Sequence, residues 1–191
     1  MEGKEERATI PLDDALLLTT AKLFCSALIV AVTGPALEEI AKLALTDVQF
    51  AALRYIFLHD PPAASELAEG LGISGAAVTK LADRLERKGL IARKPDPGDR
   101  RTLRLVLTDE GRSITEDIMR REQGRFDEIL ERMPASSREA LECGMKDFLK
   151  ASLTSPKDIE RICLRCGWAH QPNCPGSRIY ESLTGKTVSR V

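Results

Sequence analysis

Residues 65–91 read SELAEGLGISGAAVTKLADRLERKGLI, and this stretch decides the fold. Leu67, Ala68 and Leu71 give a short helix over about Ala64 to Leu71 an apolar face. Gly72-Ile73 makes a tight turn. Ser74 then caps a second helix, about Gly75 to Lys88, in which Val78, Leu81, Ala82 and Leu85 recur at helical spacing. Gly89 supplies the C-terminal stop. Two short helices joined through a glycine-containing turn form a helix-turn-helix, the arrangement whose second helix enters the major groove of DNA.

Downstream, two strand-like runs follow, Ile91 to Lys94 and Leu103 to Leu107. In the second, Leu103, Leu105 and Leu107 alternate with Arg104 and Val106, the period of a half-buried strand. The connection Pro95-Asp96-Pro97-Gly98-Asp99-Arg100-Arg101 is a turn-rich hairpin tip with adjacent arginines. A helix-turn-helix followed by a basic hairpin is a winged helix. Upstream, Thr46-Asp47-Val48-Gln49 is a capping box that opens a helix to about His59, where Asp60-Pro61-Pro62 stops it. His59 reads as a helix-end residue.

Long helices are predicted on both flanks. The first runs from about Leu12 to Val32 and breaks at Gly34-Pro35, with a short helix from Leu37 to Leu43 after it. Leu16, Leu23, Ile29 and Val30 leave it apolar around much of its circumference, as burial against a second subunit requires. Ala15 to Thr33 is nearly long enough to cross a bilayer, but Lys22, Thr19, Thr20 and Ser26 are unfavourable in hydrocarbon, so no membrane association is expected. Thr108 caps a helix to about Met133, ended by Pro134. A capping box at Ser136 to Glu139 opens another, to about Leu153, with Leu141, Met145, Phe148 and Leu149 inward. Ser155-Pro156 starts a last short helix. Cys25 and Cys143 fall on apolar helical faces and read as buried small hydrophobes rather than as oxidant sensors.

The 191 residues carry a formal net charge of −1, with 43% hydrophobic, 30% charged and only 4% aromatic residues. That is the balance of a soluble protein with an aliphatic, largely helical core. The charge is unevenly placed. Between Ser74 and Leu105 lie nine bases (Lys80, Arg84, Arg87, Lys88, Arg93, Lys94, Arg100, Arg101 and Arg104) and four acids (Asp83, Glu86, Asp96 and Asp99), a local excess of five positive charges. Such an excess can form a phosphate-attracting face. Met1 to Arg7 is charged and has no apolar core of a signal peptide, so a cytoplasmic location is expected.

From Leu45 through Gly111 the chain resembles the MarR family of bacterial transcription regulators. The residues that carry the resemblance are LTDVQFAALRYI (45–56), the stretch 65–91 quoted above, and DPGDRRTLRLVLTDEG (96–111). It implies a mainly α fold: a winged helix-turn-helix with a two-stranded β wing and long flanking dimerisation helices, in a homodimer that reads a pseudo-palindrome in double-stranded DNA. By this resemblance, residues 1–154 are the winged-helix and dimerisation domain, with a DNA-binding core over 45–111, recognition helix 75–88 and wing 91–107. Ser74, Gly75, Ala76, Thr79, Lys80 and Arg84 match recognition-helix positions near bases and phosphates. Asp99 and Arg101 match the wing pair in which the arginine enters the minor groove and the aspartate orients it. Arg100 matches a nearby phosphate contact. The implied activity is regulation, most simply repression, with no enzymatic chemistry and with a small molecule or a redox change as effector. A winged helix used for protein contacts is the alternative.

Residues 155–191 lie beyond the span of the resemblance and read as a metal-binding appendage. Cys163, Cys166, His170 and Cys174 form Cys-x2-Cys-x3-His-x3-Cys. Two cysteines two residues apart can grip one ion from a tight turn, and Gly167 and Pro172-Asn173 let the chain fold back to close a tetrahedral shell. Arg161, Arg165 and Arg178 could offset its negative charge, with Trp168 and Ile179 as a cover. Zinc suits this set. An iron–sulfur cluster is the alternative, because Cys174-Pro175 resembles iron–sulfur segments whose last ligand precedes proline. That alternative makes the chain a redox or iron sensor. A metalloenzyme fits less well, since four protein ligands leave no open position for water.

Overall fold

The computed structural model describes residues 14–40, 43–59, 61–99, 101–159, 162 and 174–186. Its elements are α1 (Asp14–Leu28), a π-helical turn (Ile29–Thr33), α2 (Gly34–Glu38), α3 (Asp47–Leu58), α4 (Ala64–Leu71), α5 (Gly75–Arg87), β1 (Ile91–Pro95), β2 (Leu103–Leu107), α6 (Asp109–Glu131), α7 (Ala135–Ser152) and α8 (Pro175–Thr184). A helical turn at residues 156–159 follows α7, and the Ser155 hydroxyl accepts from the Asp158 amide as its cap.

The centre is the winged helix. Thr46 and Gln49 close their capping box at the start of α3. Gly72 ends α4 at φ 66°, a left-handed conformation that suits glycine, and the Ile73 amide reaches back to the Ala68 carbonyl. Ser74 caps α5 by accepting from the Ala77 amide. Leu53, Leu67, Val78, Leu85, Leu90, Ile91 and Leu105 interlock as one buried cluster between α3, α4, α5 and the wing. β1 and β2 pair antiparallel from Ile91↔Leu107 to Pro95↔Leu103. Leu105 is buried and Leu107 half-buried, whereas Leu103 at the wing's far end is 47% exposed, because the core does not reach the tip. The free edge of β2 takes a further partner. The Leu105 amide donates to the Pro62 carbonyl at 2.8 Å, and Ala63 bridges Arg104.

Thr108 caps α6, accepting from the Gly111 amide and donating to the Gly89 carbonyl. A Cβ on Gly111 would lie 1.9 Å from the Leu90 carbonyl oxygen, so only glycine lets α6 start this close to the turn that follows α5. A second buried cluster, Ala36, Leu37, Phe50 and Ile118, ties α2, α3 and α6 together. Beside it, Glu122 on α6 accepts from the Thr33 hydroxyl at 2.6 Å and from Arg54 on α3 at 3.4 Å. On the surface, Arg121 and Arg125 both hold Glu39, and the Arg125 bond is the chief cause that lowers the pKa of that carboxyl.

Several expectations for the flanks need correction. Gly34-Pro35 does not break the first helix. The π turn, in which the Gly34 amide reaches Ile29 five residues back, resets the hydrogen-bond register so that Pro35 falls in the first turn of α2. There its missing N–H is not needed. Ala15–Glu38 is thus one continuous helix of 24 residues, and α2 ends at Glu38, short of the Leu43 expected. Its length and the mean hydropathy of 2.1 in its most apolar 18-residue window would suffice to cross a membrane, and only 6% of that window is buried. Thr19, Thr20 and Ser26 each donate to a carbonyl one turn back, so they are satisfied without water, and Lys22 alone remains unfavourable in hydrocarbon.

The capping box at Ser136 to Glu139 is absent. α7 begins two residues earlier, at Ala135 with Pro134 as its cap, and the carbonyl of Pro134 accepts from the amides of Ser137 and Arg138. α7 has no buried residue: Met145 is 38% and Phe148 71% exposed, while Leu141 and Leu149 are half-buried. α8 packs on α7 but does not cover that face. Cys25 and Cys143 are exposed rather than buried, because no described element packs over the sides of the helices that bear them.

Candidate nucleic-acid interface

The recognition-helix candidates all lie on the outer side of α5. Ser74, Gly75, Ala76, Thr79, Lys80 and Arg84 are exposed, while Val78, Leu81, Ala82 and Leu85 hold the helix to the core. The wing projects beside it, with Asp99 and Arg101 exposed at the tip; Arg100 lies outside the described residues. An open cleft of about 360 Å³ separates helix from wing, lined among others by Ser65, Thr79, Arg93, Arg101 and Thr102.

Two arginines absorb most of the acids of this region. Arg93 on β1 donates to Asp83 at 2.6 Å and also to Glu86, both on α5, and its pKa is raised, chiefly by the Asp83 bond. Arg104 on β2 bonds Asp96 at the wing tip and Glu66 on α4, the latter at 2.7 Å; its pKa is raised, chiefly by Asp96. Asp96 is depressed in turn, first by Arg104 and then by the amides of Gly98 and Asp99. Exposed pairs of this kind contribute little to stability. Their effect is to sort charge. Among the described residues, Lys80, Arg84, Arg87, Lys94 and Arg101 form no ion pair and are all exposed, so they face solvent with their charge uncompensated.

Asp99 does not grip the Arg101 guanidinium. Its carboxylate accepts from the Arg101 backbone amide at 3.0 Å and from the Thr102 hydroxyl at 3.0 Å. The aspartate therefore shapes the turn that presents Arg101 and leaves the side chain itself unbound. Lys88, counted among the nine bases, is withdrawn differently: its ammonium donates to the Leu43 and Ala44 carbonyls, where Ala44 is left-handed at φ 42°. The roles of Arg93, Arg104 and Lys88 were hidden in the sequence. A basic residue looks the same whether its partner is an acid across the fold or a phosphate, and no spacing rule links Arg93 to Asp83.

Of the metal candidates, Cys163, Cys166 and His170 lie outside the described residues, as do Arg161, Arg165 and Trp168. Cys174 is a half-buried free thiol at the N-cap of α8; Arg178 is exposed and Ile179 half-buried on the same helix.

Residues 45–103 match the MarR family. The HTH-type transcriptional repressor MdtR of Bacillus subtilis is 37% identical over 103 residues, which is 54% of this chain and 66% of that protein. The solved structure of RV1404 from Mycobacterium tuberculosis superposes with a TM-score of 0.63 at 28% identity, over 74% of this chain and 95% of that one. A MarR-like transcriptional regulator from Thermotoga maritima gives 0.59 at 27% identity, over 75% and 99%. The chain spans between about half and two thirds of the curated relatives it matches first. MdtR is a transcriptional repressor and the Thermotoga maritima protein a transcriptional regulator.

Proposed function

Because residues 45–103 are a MarR-family winged helix, we propose that the chain is a sequence-specific, double-stranded-DNA-binding transcription regulator that acts as a repressor. The observation that carries this reading is the sorting of charge: Arg93 and Arg104 take up Asp83, Glu86, Asp96 and Glu66, and leave Lys80, Arg84 and Arg101 unpaired on one exposed face. A duplex would meet cations from both the helix and the wing. In this reading α5 enters the major groove with Ser74, Gly75, Ala76, Thr79, Lys80 and Arg84. The turn built by Asp99 delivers Arg101 to the minor groove, where a narrow A·T-rich stretch concentrates negative potential. Arg100 contacts phosphate. The protein works in the cytoplasm as a homodimer, with the exposed apolar faces of α1 and α7 paired across the two-fold axis, and the two heads read a pseudo-palindrome. A small-molecule or redox effector acts by favouring one separation of the heads over another.

The test is DNA affinity at fixed salt, on a duplex selected from a random library by the wild-type protein. Arg101→Ala is expected to weaken binding by about tenfold or more, with the dimer intact. Unchanged affinity would remove the wing from the interface.

The appendage over 155–191 is proposed as a metal site made by Cys163, Cys166, His170 and Cys174. Three thiols and one imidazole are the donor chemistry of a closed zinc site, and Cys174 stands as a half-buried free cysteine at the N-cap of α8. The buried Leu153 and Ile159 anchor the segment that leads into it. Zinc there would clip the tail beside α7 or serve as an input. The placement of Pro175 directly after Cys174, as the first residue of α8, keeps the iron–sulfur reading as the second. Elemental analysis of protein purified without oxygen distinguishes them: one zinc per chain and no colour, or iron with sulfide and a brown protein. Metal content should fall in Cys166→Ser; undiminished content would take Cys166 out of the ligand set.

A further inference from the structure

The first two turns of α5 have little with which to hydrogen-bond a base. Gly75, Ala76 and Ala77 have no polar side-chain atom, and Val78 is buried. The Thr79 hydroxyl donates to the Gly75 carbonyl at 3.0 Å, so its proton is already committed. The Ser74 oxygen accepts from the Ala77 amide at 3.3 Å. Ser74 keeps its hydroxyl proton at the N-cap, and within α5 Lys80 is an exposed side chain of these turns with free donors; lysine alone cannot make the paired donor–acceptor contact by which Asn or Gln selects adenine.

Gly75 is not required by the fold. A Cβ built there meets nothing within 4 Å, and its φ is not one of the left-handed ones. Helix propensity disfavours glycine relative to alanine. Open space in front of Gly75, with the small Ala76 side chain exposed beside it and Thr79 and Lys80 one turn further on, leaves a low-relief apolar patch on the outer face of the helix. Within the major groove, the group that suits such a patch is the 5-methyl of thymine, the one apolar substituent on a base edge.

We propose that Gly75 and Ala76 are specificity determinants that read a thymine in each half-site by shape: Ala76 touches the methyl group and Gly75 leaves room for it. This rests on the DNA-binding reading and names what the recognition helix selects. Lys80 and Arg84 then set position on the backbone, and α5 contributes an apolar code rather than a hydrogen-bonding one.

The experiment uses the full-length protein and a duplex it selects from a random-sequence library. Each thymine is replaced in turn by deoxyuridine, which removes only the methyl. At one position per half-site, wild type should lose about tenfold in affinity. Gly75→Ala should leave the melting temperature unchanged or raised, lose about tenfold on the thymine duplex, and recover on the uridine duplex, where the added methyl has space again. Ala76→Gly should lose affinity on thymine and be indifferent to uridine. Gly75→Ala binding as tightly as wild type, or a loss that uridine does not restore, would overturn the proposal. Wild type that binds no duplex even at low salt would instead remove the DNA-binding reading beneath it.

Discussion

The head of the molecule, from α3 to β2, and the helices that flank it solve the same problem in opposite ways. In the head, Leu53, Leu67, Val78, Leu85, Leu90 and Ile91 are buried within a single chain, because four elements meet at angles and enclose them. In the arms, Leu16, Leu17, Leu18, Leu23, Val30 and Phe148 are each more than half exposed, and no residue of α7 is fully buried. The apolar content is similar and the geometry is not. A short helix in a compact head is covered by its neighbours, whereas a long helix standing at the edge keeps an apolar face that the described residues leave open. The junction between the two regions is built differently again, from Phe50, Ile118 and Leu37 with the Thr33–Glu122–Arg54 chain beside them.

The comparison breaks if the head depends on assembly. Leu53→Ala removes a fully buried side chain and should destabilise the protein by about 2–5 kcal/mol in chemical unfolding, and the loss should not depend on protein concentration. A concentration-dependent loss would mean the head is completed by a partner. The converse change is Leu23→Glu, on the 65%-exposed side of α1. It should raise the dimer dissociation constant by roughly thirtyfold or more, measured by sedimentation, while the circular dichroism of the diluted chain stays helical. A wild-type chain that sediments as a monomer would overturn the pairing of the arms.

The smallest effect concerns the wing tip. The Asp96 carboxyl is held below its ordinary value of 3.8 by Arg104 and the amides of Gly98 and Asp99. A carboxylate depressed in the folded state contributes fully above the unfolded value and loses that contribution as pH falls through the folded one. The tip should therefore loosen at a pH below about 4 while the buried core of the head stays protected, as read from amide exchange at Gly98 and Asp99. Asp96→Asn should be loose at neutral pH and insensitive to acid. A variant whose tip still responds to acid would place the titration elsewhere.

Much of the head was legible because its signals are local. Thr46 with Gln49, Gly72 before Ser74, and Thr108 before Gly111 are caps and turns whose partners lie within three or four residues, and each forms as read. Pro35 misled for an equally physical reason. Proline forbids a helix interior, but one π turn upstream converts the same position into a helix start, and that choice depends on Val32 and Ala36 being buried against α6. The box at Ser136 to Glu139 does not form because α7 already starts at Ala135, which places Ser136 inside the first turn rather than at the cap.

By itself the sequence determined the order of helices and strands and the hairpin with its basic tip, since each follows from contacts between near neighbours in the chain. The tertiary structure alone decided which bases stay unpaired. Arg93 reaches Asp83 and Glu86, and Arg104 reaches Glu66, only because packing carries the wing back across α4 and α5. The force between charges depends on their distance in space, and that distance exists only once the core has closed.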